Sequence, residues 1–266
     1  MGKCVGGLML LFLVGGCPGQ RLPEADFSPE QPHLELVTYN VNWGFVEPGR
    51  VVEYVLETNA DLICFQETHR WWEATLTQGL KGCYPYYAFR DWPGAGGIAM
   101  MSKYELRHVR LLRPTEGWFP GLLAEIETPL GLVQVLNVHL RPPLSDKGSF
   151  TPSAYYRAPE THLKELKNFM ASADADKPLI IAGDFNEHED RRAMQWLINQ
   201  GYSDALSTYD TYSKTWRWKM PLGLAIENRY DHIVMSEKLE CTGARVTPVE
   251  ASDHMPLLAV ITAKKP

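Results

Sequence analysis

The chain has 266 residues, 45% of them apolar and 22% charged, an ordinary globular composition that excludes a disordered or low-complexity protein and is long enough for one large domain. Its formal net charge of −6 argues against broad docking on duplex DNA, because that binding rests largely on phosphate neutralisation by Lys and Arg.

The first residues read differently from the rest. Lys3 precedes an almost wholly apolar run from Val5 to Val14, closed by Val14-Gly15-Gly16-Cys17, the layout of a secretory signal. The run falls short of the roughly 20 apolar residues that span a bilayer. Small residues directly before a Cys resemble a bacterial lipobox, which makes Cys17 the expected lipidation site; the alternative is an ordinary cleaved signal. The expected organisation is a signal peptide over 1–17, a polar, Pro-containing linker over 18–33, and one domain over 34–266. The lipid places the domain outside the cytoplasm as a bacterial membrane lipoprotein, with a secreted or periplasmic protein as the alternative. Of the five cysteines, Cys64 sits in a strand pattern as a small hydrophobe, and Cys83 and Cys241 are free to pair in an oxidising compartment.

In chain order, Leu34 to Val41 alternates and reads as a strand ending in Asn40 and Asn42. A helix follows over Gly49 to Thr58, with Val51, Val52, Val55 and Leu56 on one face. Asp61 to Phe65 is a strand that runs into Gln66-Glu67, and Trp71, Trp72, Leu76 and Leu80 share a face of a second helix. Strands are expected over Tyr86 to Phe89, Gly97 to Met101, Leu106 to Leu112, Leu122 to Ile126 and Leu132 to Leu140, separated by Gly and Pro. Gly94, Gly96 and Gly97 lack a following Gly-Lys-Ser/Thr, so they read as a hairpin turn and not a phosphate loop. A Pro-containing loop over Pro142 to Ser153 leads to a helix over Tyr156 to Met170. Ile180-Ile181-Ala182-Gly183-Asp184-Phe185-Asn186 is a continuous apolar run, a strand buried on both faces, that ends abruptly in an acid and an amide. A helix around Ala193 to Ile198 and strands over Lys214 to Lys219, Tyr230 to Ser236, Ala244 to Thr247 and Pro256 to Ile261 complete the chain; Trp216 and Trp218 alternate on one face and read as packing.

Polar and ionisable groups repeatedly close these apolar runs: Asn40, Glu67, Asn137 with His139, Asp184 with Asn186, Asp231, and Asp253 with His254. One such residue is a turn or a cap. The set implies a single lined cleft.

The motifs Tyr39-Asn40-Val41, Gln66-Glu67-Thr68, Asn137-Val138-His139-Leu140, Gly183-Asp184-Phe185-Asn186, Arg229-Tyr230-Asp231-His232-Ile233 and Ser252-Asp253-His254-Met255-Pro256 together resemble the endonuclease/exonuclease/phosphatase superfamily, in that family's order and across nearly the whole domain. The resemblance implies a four-layer α/β/β/α sandwich of two mixed sheets flanked by helices, with a metal-dependent phosphoesterase site at one end. It implies Mg²⁺, or Mn²⁺ in its place, held by Glu67 with Asn40 beside it and Asp253 as a further ligand; a hard cation of this kind prefers oxygen donors and retains waters. Asp184 would orient or deprotonate the attacking water and Asn186 would donate to a phosphoryl oxygen. His254, its ring held by Asp231 or Asp253, would act as an imidazolium on the phosphate. His139 would be an acid for the leaving oxygen, as in the deoxyribonuclease- and sphingomyelinase-like branches. Arg141, two residues on, would share its face; Arg141, Arg229 and Asn137 are candidate substrate contacts.

The expected reaction is in-line attack of water on a phosphodiester. The substrate stays open between single-stranded nucleic acid, a phospholipid of the sphingomyelin kind and an inositol or sugar phosphomonoester; a surface binding protein retaining the fold is the non-enzymatic alternative. Duplex DNA is not favoured, because no basic stripe interleaves with the loop-borne aromatic residues, and no protein partner is implied.

Overall fold

The computed structural model describes residues 31–264, so the signal, Cys17 and nearly all of the linker lie outside the described residues. In chain order the elements are β1 (Leu34–Asn40), α1 (Pro48–Thr58), β2 (Leu62–Gln66), α2 (Arg70–Gly79), β3 (Tyr86–Arg90), β4 (Ile98–Ser102), β5 (Leu106–Leu112), β6 (Gly121–Thr128), β7 (Gly131–His139), α3 (Pro152–Met170) and β8 (Leu179–Asp184). There follow α4 (Arg192–Asn199), β9 (Ser203–Asp204), α5 (Ala205–Tyr209), β10 (Trp216–Lys219), β11 (Ala225–Asn228), β12 (Asp231–Met235), β13 (Leu239–Val246) and β14 (Leu257–Ala263).

Two six-stranded sheets form, in the orders β13-β14-β1-β2-β4-β3 and β5-β6-β7-β8-β12-β9. Each is mixed: β1 with β2 and β7 with β8 pair in parallel, and the other ladders are antiparallel. The period-2 alternation of strand side chains sets the layering. Leu34, Leu36, Leu62, Cys64, Val133, Val135, Ile180, Ala182, Ile233 and Met235 fill the space between the sheets. Their neighbours face outward. Val37, Tyr39, Ile63 and Phe65 pack with Val51, Tyr54, Trp72 and Leu76 of α1 and α2, and Leu136, Val138 and Ile181 pack with Leu163, Leu166, Ala193 and Leu197 of α3 and α4. Strands covered on both faces have no polar side to show, hence their continuous apolar runs. Each fully buried aliphatic side chain contributes roughly 1.5–3 kcal/mol. This is the expected α/β/β/α sandwich.

Several local expectations need correction. The buried face of α1 is Val51, Tyr54 and Val55, with Leu56 exposed, and Trp71 of α2 is exposed while Trp72 is buried. The Gly94–Gly97 turn does join two paired strands, β3 and β4. The short β9 and α5 carry too few residues to show a period, and β11 was not expected at all. β10 pairs with β11 as a separate two-stranded hairpin. Cys64 is buried as expected, whereas Cys83 and Cys241 are free thiols and do not pair.

Candidate active site

The rows that supply the core between the sheets continue past it. The inward-facing alternation carries Leu36 on to Asn40, Cys64 to Gln66, Val135 to Asn137 and His139, and Ala182 to Asp184 towards the carboxyl ends of their strands, and leads from Ile233 back to Asp231 at the amino end of the antiparallel β12. Register then aligns them: Asn40 lies opposite Gln66, His139 opposite Asp184, and Asp184 opposite Asp231. Gly183 makes this alignment possible, since its φ is +149° and a Cβ there would stand 1.9 Å from the Val138 carbonyl oxygen.

Asp184 is the hub. Its Oδ2 accepts from Asn40 Nδ2 at 3.1 Å and lies 3.5 Å from His254 Nε2 and 3.6 Å from His139 Nε2; its Oδ1 accepts the Asn186 backbone N–H at 2.8 Å. Asp231 Oδ2 holds His254 Nδ1 at 2.8 Å. Burial pushes the Asp184 carboxyl up to about 7, and Asp231 adds to it against the pull of His254. Burial opposes the charged form of His254, but Asp231 and Asp184 outweigh it and raise the imidazole to about 10. His139 has burial and the neighbouring His254 against its cation and falls to about 3. Its ring stacks on Phe119 with centroids 4.3 Å apart, and its Nδ1 is buried without a hydrogen-bond partner.

Glu67 sits at the mouth, in a left-handed backbone conformation at φ +61°, unusual for a non-glycine residue and a mark of a constrained functional turn. Thr68 N–H donates to the Gly97 carbonyl at 3.0 Å and secures that turn. Glu67 Oε1 accepts from Asn40 Nδ2 at 3.1 Å and Oε2 from the Trp43 N–H at 2.7 Å. Burial raises its carboxyl above the ordinary range. Asp253 is oriented by Asn42 Nδ2 at 2.6 Å and Trp216 Nε1 at 3.1 Å. Asn186, also left-handed at φ +50°, lines the cleft with one of its two amide hydrogens on the Leu140 carbonyl.

Oxygen donors of this kind suit a hard divalent cation. Burial disfavours carboxylate charge at Glu67 and Asp184, and a cation held by Glu67, Asn40 and Asp253 would relieve that penalty. Asp184, Asp231 and His254 also bring one ligand atom each within 4.8 Å of one another. An imidazole that keeps its proton to about pH 10 is a poor ligand, and in this second cluster His254 faces the two carboxylates Asp231 and Asp184.

Three expected contacts lie elsewhere. Asn137 is buried between the sheets, its amide donating to the Phe65 and Ala99 carbonyls and its oxygen accepting from Gln66; it ties the sheets together beneath the site. Arg229 is buried, its guanidinium on Glu189 and on the carbonyls of Asp210 and Ser213. Arg141 lies beyond the end of β7, where the alternation no longer applies. It stacks over Trp118 at 4.4 Å, binds Asp146 and the Leu144 carbonyl, and faces a smaller depression beside the cleft.

The cleft itself, about 1120 Å³, holds residues the sequence reading missed. Trp216 and Trp218, expected to pack, line it, and Trp218 is 57% exposed. His162 joins it from α3, with Nδ1 on Glu187 at 2.8 Å and Nε2 on the Arg141 carbonyl at 2.6 Å. Glu187 in turn accepts the Ala193 and Met194 N–H groups at the start of α4. Nothing in the spacing of these residues signals that they meet.

A family model described as endonuclease/exonuclease/phosphatase matches residues 37–254. The chain belongs to the endonuclease/exonuclease/phosphatase family. It is a phosphoester hydrolase, of a family whose members depend on divalent metal. A comparison with curated sequences finds no significant match. Among solved structures, an endonuclease/exonuclease/phosphatase from Beutenbergia cavernae shares 18% identity over 88% of this chain and 72% of its own, with a TM-score of 0.67. TDP2 from D. rerio, complexed with a single-strand DNA product, shares 16% over 87% and 99% with a TM-score of 0.68. An AP endonuclease from Archaeoglobus fulgidus shares 19% over 85% and 98% with a TM-score of 0.64. At these identities the likeness is one of fold.

Proposed function

We propose that this family member hydrolyses a phosphodiester by direct attack of water, with Mg²⁺ bound by Glu67, Asn40 and Asp253. The observation that supports it most is Asp184 at about pKa 7, set between the Asn40 amide and the His254–Asp231 pair. A carboxyl at that value accepts a proton near neutrality. In the reaction the water oxygen forms a new bond to phosphorus while the bond to the ester oxygen breaks and its electron pair leaves with that oxygen. Asp184 takes the proton from water, and that proton returns to the leaving oxygen or to solvent. His254, charged, and Asn186, neutral, donate to the phosphoryl oxygens as charge builds there; His139 donates from a neutral ring. A cation held by Glu67, Asn40 and Asp253 would supply positive charge to the phosphate and oppose its repulsion by the carboxylates.

Turnover of bis-(p-nitrophenyl) phosphate in Mg²⁺, abolished by EDTA and restored by Mg²⁺ or Mn²⁺, is the expected result. Turnover that EDTA leaves unchanged, or none in either metal, overturns the reading. We place the protein outside the cytoplasm on a lipid attached to Cys17, on the support of the leader and its small residues before Cys17. Cys17→Ser is expected to shift the protein from the membrane to the soluble fraction, and an unchanged distribution removes the anchor.

A further inference from the structure

The reactive floor of the cleft is polar, but its walls are not. On one side stands the β10–β11 hairpin, which presents Trp216, Trp218 and Ile226; on the other stand Leu144, Phe150 and Pro159. Trp218, Ile226 and Phe150 are 57%, 50% and 67% exposed, apolar surface that water must cover when the cleft is empty. Such large exposed apolar patches mark binding sites on soluble proteins.

Charge narrows what can fill it. Among the described residues, five acidic side chains line the cleft, Glu67, Asp184, Glu187, Asp190 and Asp253, against the guanidinium of Arg191 and the His254 imidazolium that the floor already holds. Arg191 is itself engaged, with Nη2 donating to the Tyr155 hydroxyl at 2.7 Å and its guanidinium over the same ring. A polynucleotide requires a track of cations along its backbone even where aromatic residues stack its bases. Among the described residues no such track lines this cleft. Several wall residues, Leu144, Pro159 and Ile226 among them, are aliphatic and offer no stacking plane.

Resting on the phosphoesterase reading above, we infer that the substrate carries one phosphoester at the floor and an apolar ester arm, an alkyl chain or its equivalent, seated between the β10–β11 hairpin and the Leu144–Phe150–Pro159 wall. The apolar walls are continuous with the reactive floor, so the arm and the phosphorus belong to one molecule. Transfer of each buried methylene from water is favourable, and affinity therefore rises with the length of the arm.

The test is binding of butyl phosphate, octyl phosphate and thymidylyl-thymidine to the Mg²⁺-loaded protein, followed by calorimetry below the micellar concentration. Octyl phosphate is expected to bind at least tenfold more tightly than butyl phosphate, and Trp218→Ser with Ile226→Ser is expected to collapse that ratio towards one. Equal affinity for the two alkyl phosphates, or tighter binding of the dinucleotide than of octyl phosphate, overturns the inference. Hydrolysis of bis-(p-nitrophenyl) phosphate, measured on the same preparation, separates the two readings: activity without chain-length preference sinks only the apolar arm, and chain-length preference without activity sinks only the hydrolase mechanism. Competition with octyl phosphate by monomeric dihexanoylphosphatidylcholine assigns a free amphiphile, and competition by dioleoylphosphatidylcholine vesicles assigns a bilayer lipid; both outcomes support the arm.

Discussion

Asp184 and His254 hold opposite protonation tasks 3.5 Å apart, and their surroundings separate them. Burial lifts Asp184 to about 7, while two carboxylates lift His254 to about 10. The proposed base works after losing its proton and the proposed cation works while keeping one. The expected kcat/KM therefore rises with pH through about 7, stays level, and falls above about 10, which a pH–rate profile on bis-(p-nitrophenyl) phosphate checks. Asp231→Asn removes the carboxylate that faces His254 Nδ1, and the alkaline limb should move down by roughly 1–3 pH units. An unmoved limb would assign it to another group. Asp184→Asn should retain the native circular dichroism spectrum and lower kcat by about 10²-fold or more; a wild-type rate would remove Asp184 from the reaction.

At the scale of elements, the site depends on pairs that never touch the cleft. The β12 residue His232 alternates outward from Asp231 and meets Asp204, with Nδ1 to Oδ1 at 3.2 Å and neither side chain exposed. Asp204 also caps α5 through the Ser207 N–H and hydroxyl. Burial works against both charges, and each partner restores the other: His232 is raised and Asp204 is lowered. The lowered Asp contributes stability above its unfolded value of about 3.9, lost as pH falls through its folded one. The raised His contributes below its unfolded value of about 6.5, lost as pH rises through its folded one. Asp204→Asn should cost about 3–5 kcal/mol, as does removal of one partner of a buried pair. The loss, measured by urea unfolding, should be greatest between about pH 4 and 6.5 and shrink on either side. A loss independent of pH would leave only the cap.

For the whole molecule, the carboxylates gathered in one cleft link stability to metal. At about a hundredfold excess over Kd, a bound ion adds about 2.7 kcal/mol to the folded state, roughly 5–10 °C in Tm for a domain of this size. Mg²⁺ is expected to raise Tm by that amount over EDTA, and Glu67→Gln to erase the rise. An equal rise in the variant would move the ion away from Glu67.

The chain order of its strands, the apolar runs covered on both faces, and the acids and amides that end them are local properties, and they were legible. Asn40, Glu67, Asp184, Asp231 and His254 stand out because each is a polar or ionisable residue at or beside the end of an apolar run, and β8, ending in Asp184 and running on to Asn186, is the plainest case. Asn137 and Arg229 look alike in sequence but are buried with their donors satisfied, because which side of a sheet a polar residue meets depends on what the opposite sheet places there. Trp216 and Trp218 alternate as core residues do, yet β10 joins neither large sheet, so their shared face opens on the cleft. Thus the sequence alone determined the family, the sandwich and the residues at the strand ends. Tertiary structure alone decided the burial of His139 against Phe119, the meeting of Asp184 with His254 and the apolar walls, since each arises from residues far apart in the chain that only the folded domain brings together.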